Sequence, residues 1–180
     1  MKPLEDKPLK EYVRSIPDFP KPGVIFRDIT TLIENGPAFR RTSDELAAEA
    51  KDFGPIDKIA APEARGFVFG APLAAALGVG LVLVRKPGKL PGQTESVSYQ
   101  LEYGEDTLQI HRGSILPNDR VLIVDDLLAT GGTIAAVRRL IESLGAAAVG
   151  AQFVIELPAL AGRARLEGLS VCSVMSFDGE

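Results

Sequence analysis

Val121-Leu122-Ile123-Val124-Asp125-Asp126-Leu127-Leu128-Ala129-Thr130-Gly131-Gly132-Thr133 is the stretch whose reading decides the architecture. Four apolar residues predict a buried parallel strand, with two adjacent carboxylates at its carboxyl end. A short loop of small and hydroxyl residues follows. It opens a helix whose apolar positions Ile134, Val137, Leu140, Ile141 and Leu144 recur at helical spacing. In open α/β sheets ligands bind at the carboxyl ends of the strands. The start of the next helix offers unpaired N–H groups and a partial positive charge, which suits a phosphate. Thr130, Gly131, Gly132 and Thr133 can wrap that phosphate, because glycines admit close backbone approach and hydroxyls donate. Asp125 and Asp126 would repel it at close range, so their natural partners are ribose hydroxyls and a hydrated Mg²⁺. Phosphate, diol and metal together point to a sugar phosphate.

Two other strand-loop-helix families are disfavoured. The Val-Leu-Ile-Val-Asp-Asp run also opens response-regulator receiver domains, but there the acids stand near the N-terminus, whereas here most of the chain precedes them. A Walker phosphate loop fails on spacing, since Gly88-Lys89 is followed by Leu90 rather than Ser or Thr.

Outward from this motif, the order of elements is that of an α/β domain. Leu9 to Ile16 has helical spacing and ends against Pro17, predicting a short N-terminal helix. Val24 to Ile29 reads as a short extended or hood-like segment, and Pro37 to Lys51 as an amphipathic helix. Strands are predicted at Lys58 to Ala61 and Val79 to Val84, flanking an apolar helix from Phe67 to Leu77 that Gly78 stops. The segment 85–106 is too long for an ordinary connection, which marks it as a binding loop or lid, with a possible strand at Ser96 to Leu101. Thr107 to His111 returns as a strand. Ala147 to Ile155 and Ser170 to Val174 complete a mainly parallel twisted sheet flanked by helices.

At 180 residues the chain is expected to form one domain, 1–180, without an internal repeat. Its 46% hydrophobic and 24% charged content argues against disorder, and a net charge of −4 gives no support for nucleic-acid or membrane-surface binding. The one cysteine, Cys172, lies in an apolar run and reads as a buried core thiol; the one histidine, His111, rules out a multi-histidine metal site and reads as solvated. No segment has the pattern of a signal peptide or the length of a membrane span, so a cytoplasmic enzyme is expected.

The signature stretch resembles the phosphoribosyl-diphosphate (PRPP) motif of the type I phosphoribosyltransferases along its whole length. Three further motifs, in order along the chain, resemble those of the adenine phosphoribosyltransferases within that family. Glu63-Ala64-Arg65-Gly66-Phe67 is similar to their diphosphate-binding loop, which carries a non-proline cis peptide, placed here at Glu63-Ala64. Independently of the resemblance, the planar fork of Arg65 suits a diphosphate, although pairing with a nearby acid is an equal reading of that residue alone. Phe19 to Thr30 is similar to the base-binding hood. Leu101-Glu102-Tyr103-Gly104 looks like the catalytic flexible loop.

The resemblance implies a type I phosphoribosyltransferase fold, with a small hood over about 1–35 and a flexible loop over about 85–106. It implies that adenine and PRPP give AMP and diphosphate with Mg²⁺, in a homodimer. The 5′-phosphate and ribose would fall to Asp125, Asp126 and Ala129 to Thr133 (Ala129, Thr130, Gly131, Gly132, Thr133), with the metal held through PRPP and waters near the two acids and by no direct protein ligand. Diphosphate would fall to Glu63, Ala64, Arg65, Arg85, Lys86 and Lys89. Adenine would meet the backbone of Ile25 and Arg27 with Phe26 stacked on its ring. Glu102, Tyr103 and Arg65 would serve catalysis. Two alternatives fit the sequence less well. A 6-oxopurine enzyme of this architecture tends to carry Ala-Asn-Gly where Ala129-Thr130-Gly131 stands, and a PRPP-sensing repressor needs a DNA-binding module for which the N-terminal stretch offers no room.

Overall fold

A computed structural model describes residues 7–100 and 105–178. Elements follow in the order β1 (Arg14–Pro17), β2 (Ile25–Asp28), α1 (Thr30–Glu34), α2 (Gly36–Glu49), β3 (Lys58–Pro62), α3 (Arg65–Leu77), β4 (Gly80–Val84), β5 (Thr94–Gln100), β6 (Glu105–His111), β7 (Arg120–Leu128), α4 (Gly132–Ser143), β8 (Ala147–Glu156) and β9 (Val171–Ser176). The central sheet has five parallel strands in the order β4-β3-β7-β8-β9. It is the flanked parallel sheet expected from the alternation of strands and helices.

Both faces of the sheet are covered, and β7 shows how. Val121 and Ile123 pack into a core with Ile134, Val137, Leu140 and Ile141 of α4. Leu122 and Val124, pointing the other way, join Leu32, Leu46, Phe69 and Leu73 from α1 to α3. A strand stretch buried on both sides must be apolar at every position, and Val121 to Val124 is, up to the two acids. The β5–β6 hairpin, registered from Thr94↔His111 to Tyr99↔Asp106, closes the α4 side by burying Tyr99, Leu108 and Ile110.

Helix α3 lies unusually close to the sheet because its inward positions include two glycines. A β-carbon on Gly70 would come within 2.8 Å of the Ala61 β-carbon, and one on Gly66 within 2.9 Å of Asp125 Oδ1 and 3.0 Å of the Val124 carbonyl oxygen. That closeness brings the N-terminus of α3 up to the acids of β7.

Several expectations change. Leu9 to Ile16 is not a helix: Leu9–Tyr12 makes one 3₁₀ turn, and Arg14–Pro17 pairs antiparallel with β2, with Arg14 Nε donating to Asp28 Oδ2 at 3.1 Å. The ladder partner lies 14 residues away, beyond the reach of local spacing. Helix α2 ends at Glu49 and passes into a 3₁₀ turn, Ala50–Phe53. The possible strand at Ser96 to Leu101 starts two residues earlier, as Thr94–Gln100, and pairs with Glu105–His111, a hairpin tied to the end of β4 by reciprocal Arg85–Gln109 backbone bonds of 2.8 and 2.7 Å. Cys172 is half-buried rather than a core thiol, because it stands on the edge strand β9, where its Sγ lies 3.1 Å from Glu49 Oε2. His111 is exposed, with Nε2 2.9 Å from the Pro91 carbonyl oxygen. Among the described residues no helix is long and apolar enough to cross a membrane.

Gly70→Val would drive a branched side chain into Ala61 and Leu81 of the sheet. The expected cost is about 1–3 kcal/mol, read as a lower urea midpoint with an unchanged slope.

Candidate active site

The chain runs from β3 toward one edge of the sheet and from β7 toward the other, so the strand order reverses between these two neighbours. Ligands bind in the crevice outside such a reversal. Strand β3 pairs with β7 only from Lys58↔Val121 to Ala60↔Ile123, whereas β8 follows β7 as far as Leu128↔Glu156. Strand β7 therefore continues past its acids, and Asp125 and Asp126 lie on a stretch that β3 does not pair, facing the crevice.

Asp126 is only 3% exposed. Its Oδ2 lies 2.9 Å from Arg65 Nε, close enough for charge attraction, yet it has no hydrogen-bond partner among the described residues. A buried carboxylate oxygen in that condition is aimed at something that donates. Asp125 Oδ1 accepts from the Asp126 N–H at 2.9 Å. Burial pushes the Asp125 carboxyl well above its ordinary value, and the neighbouring Asp126 charge adds to the rise. Burial raises Asp126 as well, with the Arg65 guanidinium partly opposing it. Among the described residues no group of three or more His, Cys, Asp or Glu is placed to hold a metal. The pair instead fits a cation that arrives with its own water and substrate ligands, since water donates to an orphaned carboxylate oxygen.

Beyond the acids, residues 125 and 127–134 line an open cleft of about 300 Å³. Gly131 adopts φ +77° as the N-cap of α4, and no side chain caps that helix, leaving its first amides directed at the cleft. A further reason for glycine here stands beside the one read in the sequence. A β-carbon on Gly131 would strike the Gly162 carbonyl oxygen at 2.5 Å, and one on Gly162 would strike the Ala129 carbonyl oxygen at 2.2 Å. The loop is thus confined from behind by the protein's own backbone.

The second loop, after β3, meets the first. Its Glu63–Ala64 peptide is cis, as the resemblance implied. Arg65, 46% exposed at its side chain, stands between Asp126 and the hood, with its guanidinium 5.6 Å from the centre of the Phe26 ring. Phe26 in turn meets Phe19 edge-on at 5.2 Å. Arg27, next on β2, lies over the Phe177 ring at 4.5 Å and donates from Nη1 to Ser15 Oγ at 2.6 Å. Adjacent strand residues point to opposite faces, so Phe26 and not Arg27 presents its side chain to Arg65. Ile25 pairs with Pro17 across the hood ladder.

The basic cluster is already committed to acids. Arg85 Nε donates to Glu63 Oε2 at 2.6 Å, and the Lys86 N–H to Glu63 Oε1 at 3.1 Å. Burial alone would lift the Glu63 carboxyl, but these bonds outweigh it and hold it below its ordinary value. Lys86 Nζ lies 3.1 Å from Asp106 Oδ2, and that bond raises the lysine's pKa. Lys89 is exposed. Nothing in the sequence singled out Asp106, and Gly66, quoted there only as part of the loop motif, has a packing role signalled by its four-residue spacing from Gly70. Glu102 and Tyr103 lie outside the described residues.

The phosphoribosyl transferase domain family matches residues 30–168. An adenine phosphoribosyltransferase of Edwardsiella ictaluri is 57% identical over 95% of this chain and 94% of its own length. One from Desulfitobacterium hafniense is 55% identical over 93% and 96%. The crystal structure of the Thermoanaerobacter pseudethanolicus adenine phosphoribosyltransferase superposes with a TM-score of 0.90 at 52% identity, covering 94% of this chain and 98% of that one. The fold and the site define a phosphoribosyltransferase. Within that class, the chain belongs to the adenine phosphoribosyltransferase family.

The raised carboxyls give a pH dependence with a definite sign. Native Asp125 holds its proton more tightly than the unfolded chain does, so stability falls as pH climbs from 3.8, the ordinary value, through the raised native one. The penalty is larger at neutral pH than in acid. Asp125→Asn is therefore expected to stabilise the free protein on the order of 1 kcal/mol, raising its melting midpoint by about 2–4 °C while turnover collapses. Calorimetry beside an activity assay checks both halves, and a lower midpoint at pH 7 would refute the burial argument.

Proposed function

We infer that this chain transfers the 5-phosphoribosyl group of PRPP to adenine, yielding AMP and diphosphate in purine salvage. The observation that carries this reading is the convergence of three elements at the strand-order reversal. These are an acid pair with an orphaned buried oxygen, an uncapped glycine-lined helix start beside it, and an aromatic hood joined to the acid pair through Arg65. The Saccharomyces cerevisiae adenine phosphoribosyltransferase crystallised with an imino-altritol bisphosphate and adenine supports the choice of base, at 42% identity over 91% of this chain and 94% of that one, with a TM-score of 0.84.

In this reading the 5′-phosphate rests on the amides and hydroxyls of Ala129 to Thr133, and Asp125 and Asp126 accept from the ribose hydroxyls. Asp125 and Asp126 would hold a Mg²⁺ carried by PRPP through its waters, and the ion would supply neutralisation of charge on the departing diphosphate. Arg65 has a specific task once substrate enters: it can shift from Asp126 toward the diphosphate. Arg85, Lys86 and Lys89 supply further positive charge on that side, the first two by loosening from Glu63 and Asp106. Adenine stacks against Phe26 with its edge read by the backbone of Ile25 and Arg27, a pattern that separates a 6-amino from a 6-oxo purine.

As the base nitrogen attacks C1 of the ribose, the bond to diphosphate breaks and the configuration inverts. Positive charge on the sugar ring is then opposed by Glu102, which also takes the proton released from the purine. Tyr103 caps the closed site and helps to exclude water. The homodimer and the cytoplasmic setting implied by the family resemblance belong to the same proposal.

An assay of adenine, hypoxanthine, guanine and xanthine, each with PRPP and Mg²⁺, is expected to give turnover with adenine and little with the others. Comparable turnover with a 6-oxopurine would transfer the chain to the rival specificity.

The role of Glu102 has a separate test. Glu102→Gln keeps the size and removes the charge, so kcat is expected to fall roughly 10²–10⁴-fold with much smaller changes in either KM. Near-normal turnover in Glu102→Ala would remove the residue from catalysis.

A further inference from the structure

Charge at the phosphate end of the site is unbalanced. A phosphate monoester brings about two negative charges close to Asp125 and Asp126, while the loop Ala129 to Thr133 contains no cationic side chain. Arg65, Arg85 and Lys86 are each paired with an acid on the diphosphate side of the crevice.

The segment after β8 supplies what is lacking. A β-carbon built on Gly132, the first residue of α4, would lie 3.5 Å from Nη1 of Arg165 and 4.0 Å from Thr130 Oγ1. The guanidinium therefore stands over the same point at the helix start that the phosphate-loop hydroxyl faces. Arg165 is exposed and makes no hydrogen bond or ion pair with any described residue. An arginine without a protein partner beside uncapped helix amides is poised for an anion.

Its placement is not accidental, because the segment carrying it is anchored at several points. Gly162 packs backbone to backbone against Gly131 and Ala129, and the Leu157 N–H donates to the Leu128 carbonyl oxygen at 3.0 Å. One turn away, Arg163 Nε and Nη2 grip Glu156 at 2.6 and 2.7 Å, and Ser173 Oγ donates to the same carboxylate at 3.0 Å. The Arg163 bonds hold Glu156 below its ordinary pKa, so the clamp stays charged across the neutral range. Leu166 is fully buried immediately beyond Arg165. Exposed Arg165 thus projects from a short stretch whose neighbours on both sides are pinned.

We propose that Arg165 is a ligand of the 5′-phosphate, contributing a charge-assisted bond that the glycine loop cannot make by itself. The proposal rests on the phosphoribosyl-transfer reading above and adds a residue to it.

Binding of AMP and of adenosine, which differ by that phosphate, is measured by calorimetry on the wild-type chain, Arg165→Ala, Arg165→Lys and Arg139→Ala. Arg139 is an exposed arginine farther along α4 and controls for loss of one distant charge. Arg165→Ala is expected to weaken AMP about 10-fold with adenosine and the melting midpoint unchanged. Arg165→Lys should recover part of the loss, and Arg139→Ala should show none. In the transfer assay the KM for PRPP should rise with that for adenine unaltered. Unaltered AMP binding in Arg165→Ala would overturn the proposal, as would equal weakening of AMP and adenosine or an equal effect of Arg139→Ala. A wild-type chain that bound no AMP would overturn the phosphoribosyl reading itself.

Discussion

Two carboxylates are carried by the central strand of a doubly covered sheet, and burial alone would favour their neutral forms. Their presence constrains what surrounds them. Strand β3 stops pairing before it reaches them, which leaves a crevice rather than another row of apolar side chains. Helix α3 comes near enough to touch Asp125 only because Gly66 has no side chain there. The same approach sets Arg65 beside Asp126 and beneath Phe26. A larger residue at position 66 would push the helix outward and take Arg65 with it, so catalytic placement and helix packing are one problem in this fold.

The loop before α4 obeys a different constraint. Loops generally have little to hold them. Here Gly131 and Gly162 press peptide against peptide, so the loop has a rigid floor made by a segment some thirty residues later in the chain. Close backbone contact of this kind tolerates no β-carbon on either side. The bidentate Glu156–Arg163 pair keeps that floor in register with the end of β8.

The cations fall into two groups. Arg65, Arg85 and Lys86 are held by acids across the crevice. In the proposed reaction an incoming diphosphate would compete for these cations, which would couple substrate entry to local rearrangement. Arg165 has no side-chain partner among the described residues, so its contact with an anion requires no ion pair among them to break.

The sequence by itself determined the class of fold and the location of the chemistry. A fully apolar strand, adjacent acids, a glycine-hydroxyl loop and an amphipathic helix are all local, and local pattern is what periodicity and turn chemistry report. The element order from Lys58 onward followed from the same signals. What failed locally was whatever depended on a distant partner. Arg14–Pro17 has helical spacing but is a strand because β2 offers it a ladder, and Cys172 is half-buried because its strand forms the sheet's edge. Only the tertiary structure decided the strand order, and with it the reversal that opens the crevice between β3 and β7. It alone decided which basic residues are bound to acids, because ion pairing depends on distances across the fold rather than spacing along the chain. The meeting of Gly131 with Gly162 belongs to the same category: two glycines in separate loops carry no mark of their contact until folding brings their backbones together.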